Sequence, residues 1–300
     1  MFWTVTFNPA VDYVVRLDRL VTGAVNRCSG EEIFFGGKGI NVSCVLAELG
    51  VRSVALGFCA GFTGRAIEEG VRAMGVETDL VRLKSGSSRI NVKIRGQAET
   101  EINGQGPDIS EEAIGELLVK LDRIAPGDTL ILAGSVPATL PENIYERILA
   151  GLSGRRIRFV ADASGKQLLS LLRHRPFLVK PNDIELGELF GAVPQTDEEV
   201  ARLAGRLQEM GAENVLVSMA ERGALLLDGQ GQIHRCGVCR GELVNSVGAG
   251  DSMLAGVLAG LERGGWDYAL RLGTACGGAT AFSGGLGKRE LIDKLMEQLS

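Results

Sequence analysis

Short apolar runs recur along the chain at residues 54–57, 129–132, 159–161, 177–179 and 215–217. Runs of this kind suit strands buried on both faces of a parallel sheet. Helix-like periods lie between them. Ser110-Glu111-Glu112 opens one, and Thr196 with Glu199 makes a capping-box pattern at another. Alternation of strand and helix predicts an α/β layered fold. Two stretches depart from it. Residues 11–35 have strand character without a helical period. Residues 88–95 alternate strictly between polar and apolar, and 99–103 alternate again after the turn candidate Gly96-Gln97-Ala98. A period of two belongs to a strand with one wet face. These segments are read as a small sheet on one edge of the α/β body, with polar faces able to cover a polar ligand. No linker is long enough to divide the chain. Residues 1–300 are therefore read as a single domain, with lid segments at about 11–35 and 86–106 inserted in it.

Composition narrows the classes. Hydrophobic residues are 45% and charged residues 23%, ordinary for a soluble globular protein. The formal charge of −5 argues against a nucleic-acid or anionic-membrane surface as the main partner. The start, Met1-Phe2-Trp3-Thr4-Val5, has no basic lead, and no stretch is apolar enough to span a bilayer, so a cytoplasmic location is expected. The six cysteines are read as reduced thiols. Cys236-Gly237-Val238-Cys239 lacks further ligands at zinc spacing, and a pair of small residues at a strand end explains it equally. The two histidines, His174 and His234, lie in basic contexts that do not suggest a hydrolase.

Four motifs carry candidate chemistry. Asn245-Ser246-Val247-Gly248-Ala249-Gly250-Asp251-Ser252 precedes an apolar helical run. It reads as a strand end, a glycine turn and a helix start, whose free N–H groups favour an anion. Asp251 in the first turn could take the proton of an attacking hydroxyl, or simply cap the helix. Beside a positive helix end it is expected to be ionised at neutral pH. Gly36-Gly37-Lys38-Gly39-Ile40-Asn41 offers backbone donors, a cation and an amide to an anionic sugar, before a helix expected from Asn41 to about Gly50. Arg89, Asn91 and Lys93 share one face of the alternating strand, as a phosphate clamp or an ordinary solvated face. Asn182 and Glu185, three apart after the run 177–179, could orient a magnesium through its water shell or form a helix cap. There is no Walker P-loop, and Met253 stands where a dinucleotide fingerprint needs its third glycine.

Taken in order, with Asn8-Pro9-Ala10-Val11-Asp12 before them, these motifs resemble the ribokinase-like (PfkB) carbohydrate kinase family over nearly the whole chain. Ser88-Arg89-Ile90-Asn91-Val92-Lys93, Thr100-Glu101-Ile102-Asn103, Gly106-Pro107, Leu132-Ala133-Gly134-Ser135-Val136-Pro137 and Phe177-Leu178-Val179-Lys180-Pro181-Asn182 resemble its branch acting on fructose 1-phosphate. The resemblance implies a central, mostly parallel sheet flanked by helices with a small β lid, and a homodimer through that lid. It implies transfer of the ATP γ-phosphoryl group to the C6 hydroxyl of fructose 1-phosphate, with tagatose 6-phosphate as the alternative acceptor. Asp251 would be the base, and Gly248, Ala249 and Gly250 the anion hole. Asp12, Gly37, Lys38 and Asn41 would hold the sugar, and Arg89, Asn91, Lys93 and Ser135 its phosphate. Ser218, Gly223 and Asn245, with Gly248 and Gly250, would line the ATP side. Asn182 and Glu185 would hold the Mg2+ shell. One departure stands out: Ala220 occupies a position where the family usually has glycine. A sugar-phosphate sensor on the same fold is the non-catalytic alternative, and it would not need Asp251.

Overall fold

The computed structural model describes residues 1–299. Its main sheet has ten strands: β1 (Phe2–Thr6), β4 (Ser53–Cys59), β5 (Glu77–Thr78), β6 (Val81–Arg82), β9 (Thr129–Ala133), β10 (Arg158–Asp162), β11 (Leu178–Val179), β12 (Asn214–Ser218), β13 (Ala224–Leu227) and β14 (Ile233–Cys236). The order is β14-β13-β12-β11-β10-β9-β1-β4-β5, with β6 beside β4. Pairing is parallel from β12 to β5, and antiparallel where β13 and β14 close one edge. A separate four-stranded sheet, ordered β3-β2-β7-β8, holds β2 (Ala10–Arg16), β3 (Gly30–Gly36), β7 (Arg89–Arg95) and β8 (Thr100–Asn103).

The apolar strand runs of the sequence fall within main-sheet strands, save that Phe177 lies just before β11, because both faces of that sheet are covered. Alternate residues serve opposite layers. Leu130 and Leu132 pack with α3 (Glu111–Leu121), α4 (Ile144–Gly151), α5 (Gly165–Leu172) and α7 (Asp197–Glu209). Ile131 packs with α1 (Lys38–Glu48), α8 (Ala249–Leu261), α9 (Trp266–Ala281) and α10 (Arg289–Met296). Helices α2 (Gly61–Ala73) and α6 (Asp183–Phe190) complete the layers. Ser110 and Thr196 cap α3 and α7 through their side chains, as their patterns predict. No helix among the described residues is long and apolar enough to cross a membrane.

Three local expectations are corrected. Helix α1 starts at Lys38 rather than Asn41, with Gly37 as N-cap at φ 131. A side chain at Gly37 would press its Cβ to 2.5 Å from Thr6 Cγ2, so glycine lets this helix start sit on the end of β1. No strand leads into α8. Residues 237–247 are irregular and held by the Val244 and Asn245 N–H groups donating to the Ala281 carbonyl. The polar face of β7 is the dry one: Asn91 and Lys93 are 6% and 7% exposed, whereas Ile90 is 43% exposed. Sequence alternation reports two faces but not which one meets solvent.

Candidate active site

In a parallel sheet with crossover helices, ligands bind beyond the carboxyl ends of the strands. Here those ends bring together Thr6, Asp162, Lys180 and Ser218, and the small sheet folds over them. A cavity of about 410 Å³ lies between, walled by Asp12, Lys38, Asn41, Arg89, Glu185 and Asp251 among others. Gly37, Asn91, Lys93, Lys180, Asn182, Ser218, Val247, Gly248 and Gly250 complete most of its wall. A second cavity of about 610 Å³ adjoins it and shares Asp12, Asn41, Lys93 and Val247; Asn245 lines this one. Ser135 and Gly223 are walls of neither. Gly223 is pressed against the Cys236 carbonyl, and the turn after β9 instead runs Gly134 beneath the Lys38 stem.

The floor is the start of α8. Gly248 adopts φ 81 as N-cap and turns the chain so that the Ala249 and Gly250 backbone begins the helix. Asp251 follows in the first turn, 6% exposed, and its Oδ2 accepts a 2.8 Å hydrogen bond from Asn41 Nδ2. Burial, with Asp162 adding negative charge, pushes its carboxyl up to about 7; the Asn41 hydrogen bond and the ammonium groups of Lys180 and Lys38 oppose the rise. Against the expectation of an ionised Asp251 at neutral pH, the removal of water and a second carboxylate both favour the protonated form.

Two groups at this end were given no role by the sequence reading, although Lys180 stands in one of its motifs. Asp162 ends β10 and is 2% exposed; Lys180 follows β11 and is 5% exposed. Asp162 Oδ1 lies 3.4 Å from Lys180 Nζ and 3.5 Å from Lys38 Nζ. Lys180 Nζ also sits over the helix start, 3.2 Å from where a Cβ on Gly250 would be. Burial weakens the Lys38 charge, but Asp162, Asp251 and Glu185 outweigh it and hold the ammonium above its usual range. The signal that could have found both residues is a charged side chain directly after an apolar strand run.

The roof comes from the small sheet. Asn91 Nδ2 donates to Asp12 Oδ1 at 2.8 Å, orienting that carboxylate. Arg89 donates through Nε to the Asn8 carbonyl at 3.0 Å, which leaves the outer guanidinium nitrogens for a ligand. Burial lowers the Arg89 proton affinity, with Asp12 opposing. Lys93 lines the cavity, but its ammonium is held by Glu101 at 2.7 Å, so much of its charge is already answered. Asn182 and Glu185 form a complete capping box on α6: Glu185 N donates to Asn182 Oδ1 at 2.7 Å and Asn182 N to Glu185 Oε2 at 2.9 Å. Both also line the cavity. Among the described residues no group of three or more His, Cys, Asp or Glu could cage a metal. Glu185 Oε1 is left for a hydrated cation, which suits Mg2+ held by waters and substrate phosphates rather than by an all-protein cage.

Ala220 has φ 46, a left-handed conformation that L side chains other than Asn and Asp rarely adopt. It opens the turn from Met219 to Gly223 after β12. Cys236 and Cys239 are buried free thiols, with Cys236 at the end of β14.

A sequence profile for the pfkB family of carbohydrate kinases matches residues 5–291. The chain is 45% identical to the 1-phosphofructokinase of Bacillus subtilis, over all of this chain and 98% of that protein. It is 38% identical to the D-tagatose-1-phosphate kinase of Bacillus licheniformis, again over 100% of this chain and 98% of the other. Among solved structures, phosphofructokinase-2 from Escherichia coli in complex with substrates and products superimposes with a TM-score of 0.93. That match has 25% identity and covers 99% of both chains.

Proposed function

This chain belongs to the pfkB family of carbohydrate kinases, and from that premise we propose that it transfers the γ-phosphoryl group of ATP to the C6 hydroxyl of fructose 1-phosphate. The observation that carries the reading is one cavity with Asp251 on a glycine-lined helix start at its floor and Arg89 at its roof. That arrangement suits a sugar bearing a phosphate at one end and a reactive hydroxyl at the other.

In the proposed reaction the C6 oxygen forms a bond to the γ-phosphorus as the bond to the β-phosphate oxygen breaks. The hydroxyl proton passes to Asp251, which Asn41 holds in place. Such transfers need alignment and cancellation of charge more than covalent help. The α8 N–H groups, Lys38 and Lys180 face the position where charge develops. Asn182 and Glu185 would hold the hydrated Mg2+, which when bound supplies further positive charge at the phosphates. Asp12, steadied by Asn91, would accept from sugar hydroxyls. Arg89 would hold the 1-phosphate, with Lys93 contributing less because Glu101 pairs it. Ser218 would face the nucleotide, with Asn245 in the adjoining cavity; Ser135 and Gly223 would act only after rearrangement.

The second acceptor to weigh is tagatose 1-phosphate, the C4 epimer carrying its phosphate at the same carbon. A relative of this chain bears that name, whereas the 6-phosphate alternative drawn from sequence finds no counterpart among the relatives described above. ADP release measured over fructose 1-phosphate, tagatose 1-phosphate, tagatose 6-phosphate and fructose 6-phosphate separates them. Turnover only with a 6-phosphate would refute the reading.

A homodimer through the small sheet is part of the same proposal. On the face away from the cavity, Ile33, Tyr13, Val92 and Ile102 pair in register across all four strands. Ile33 and Ile102 are 56% and 59% exposed. An apolar row across an open sheet face is what a second copy would cover.

A further inference from the structure

Of the buried charges at the carboxyl ends of the central strands, Asp162 is the one the proposed reaction leaves without work. It is also not a wall of the cavity. We propose that Asp162 is a positioning residue of this site: one carboxylate behind the cavity that aims the Lys38 and Lys180 ammonium groups at the phosphate position and acts on Asp251 through its charge. This rests on Asp251 being the base.

The geometry supports it in three ways. First, strand register sets the contacts. Ala161 pairs with Val179, so Asp162 and Lys180 leave neighbouring strand ends side by side, and the Lys180 N–H donates to the Ala161 carbonyl at 3.2 Å. Ala133 pairs with Asp162, which puts Gly134 beneath the Lys38 stem. Second, a single oxygen, Oδ1, serves both lysines, while Oδ2 is buried with no hydrogen-bond partner among the described residues. A buried carboxylate with one bare oxygen is costly, and such a cost persists where the charge has a task. Third, the charges around Asp251 are split by sign. Asp162 from β10 raises its proton affinity; Lys180 from the end of β11 and Lys38 from α1 lower it. Glu185 from α6 acts on Lys38, and Asp12 lies across the cavity. Asp162 thus holds the cations that would neutralise the transferring group, and offsets their pull on the base.

The opposite signs give a test that a merely structural residue would not pass. The acid limb of the kcat/KM profile against pH reports the free enzyme's base. Asp162→Asn should move that limb to lower pH by about one unit. Lys38→Met should move it to higher pH. Asp162→Asn should also raise KM for ATP more than KM for the sugar phosphate, because both lysines would then be aimed less well at the transferring phosphate, which ATP carries. An unmoved limb in a folded Asp162→Asn enzyme, or shifts of the same sign in both variants, would overturn the proposal. If Asp162→Asn does not fold, the wild-type enzyme carries the test. With 13C-labelled aspartate carboxyls and the Asp251 signal assigned by its loss in Asp251→Asn, a second aspartate carboxyl should shift at the Asp251 midpoint, and that shift should vanish in Asp251→Asn. A wild-type spectrum with no second carboxyl moving at that midpoint would overturn the coupling. Retained turnover in Asp251→Asn is a separate result, which would sink the base assignment while the carboxyl titration still reports on the coupling.

Discussion

Replacing Asp251 by Asn tests the site in two independent currencies. The change keeps size and can keep the hydrogen bond, since the Asn41 amide can donate to an amide oxygen as it does to the Asp251 carboxylate. It removes the proton acceptor. General-base help is worth roughly 10²–10⁴ in rate, so kcat should fall by about that factor with ATP affinity nearly kept. The pH dependence is as specific. A carboxyl raised from 3.8 to about 7 is half protonated near neutrality. Wild-type kcat/KM should therefore fall about tenfold per unit below that point, while the variant's residual rate has no such limb. Stability follows from the same shift. The folded-state affinity for the proton exceeds the unfolded one. Its stabilising contribution is therefore complete below about pH 4 and is lost as pH rises through about 7. A rise of about three units corresponds to ~4 kcal/mol above pH 7, as an upper figure. Asn carries no such penalty, though Lys38 and Lys180 lose a partner charge. The variant should thus gain melting temperature relative to wild type, clearly more at pH 8 than at pH 5. Thermal melts at both pH values and steady-state ADP release provide the readouts. An equal offset at the two pH values would refute the raised carboxyl, and near-full turnover would refute the base.

Three further outcomes are expected. Arg89→Ala should raise KM for fructose 1-phosphate by about 10- to 100-fold, the worth of charge-assisted hydrogen bonds to a phosphate, and KM for ATP far less; equal effects would remove Arg89 from the acceptor end. Ala220→Gly should stabilise the fold by about 0.5–1 kcal/mol by relieving a left-handed alanine, less the added chain entropy of glycine, read as a small rise in melting temperature. Ile33→Lys with Ile102→Lys should convert the proposed dimer to monomer in sedimentation velocity, whereas an unchanged mass would place any interface elsewhere.

Sequence alone carried the layered α/β body because burial on both faces of the main sheet leaves uninterrupted apolar strands. Leu130, Ile131 and Leu132 can be read as such without knowing their neighbours. It also carried the glycine-bounded helix starts near Asn41 and Asp251, though not that α1 begins three residues earlier at Lys38, since backbone that must approach closely tolerates few other residues. What lies across the molecule was not in the pattern. Strand alternation could not say that Asn91 and Lys93 face inward, because the two faces of a lone strand are equivalent until a second layer covers one. Lys93 reads as a free cation until β8 brings Glu101 to it. Asp251 reads as an ordinary helix-start carboxylate until α1, β10 and β11 enclose it. Its proton affinity is then decided by lost water and by Asp162, a residue 89 positions away in the chain. Short-range chemistry is written in local sequence, whereas electrostatics in a dry site sums over whatever the fold brings near.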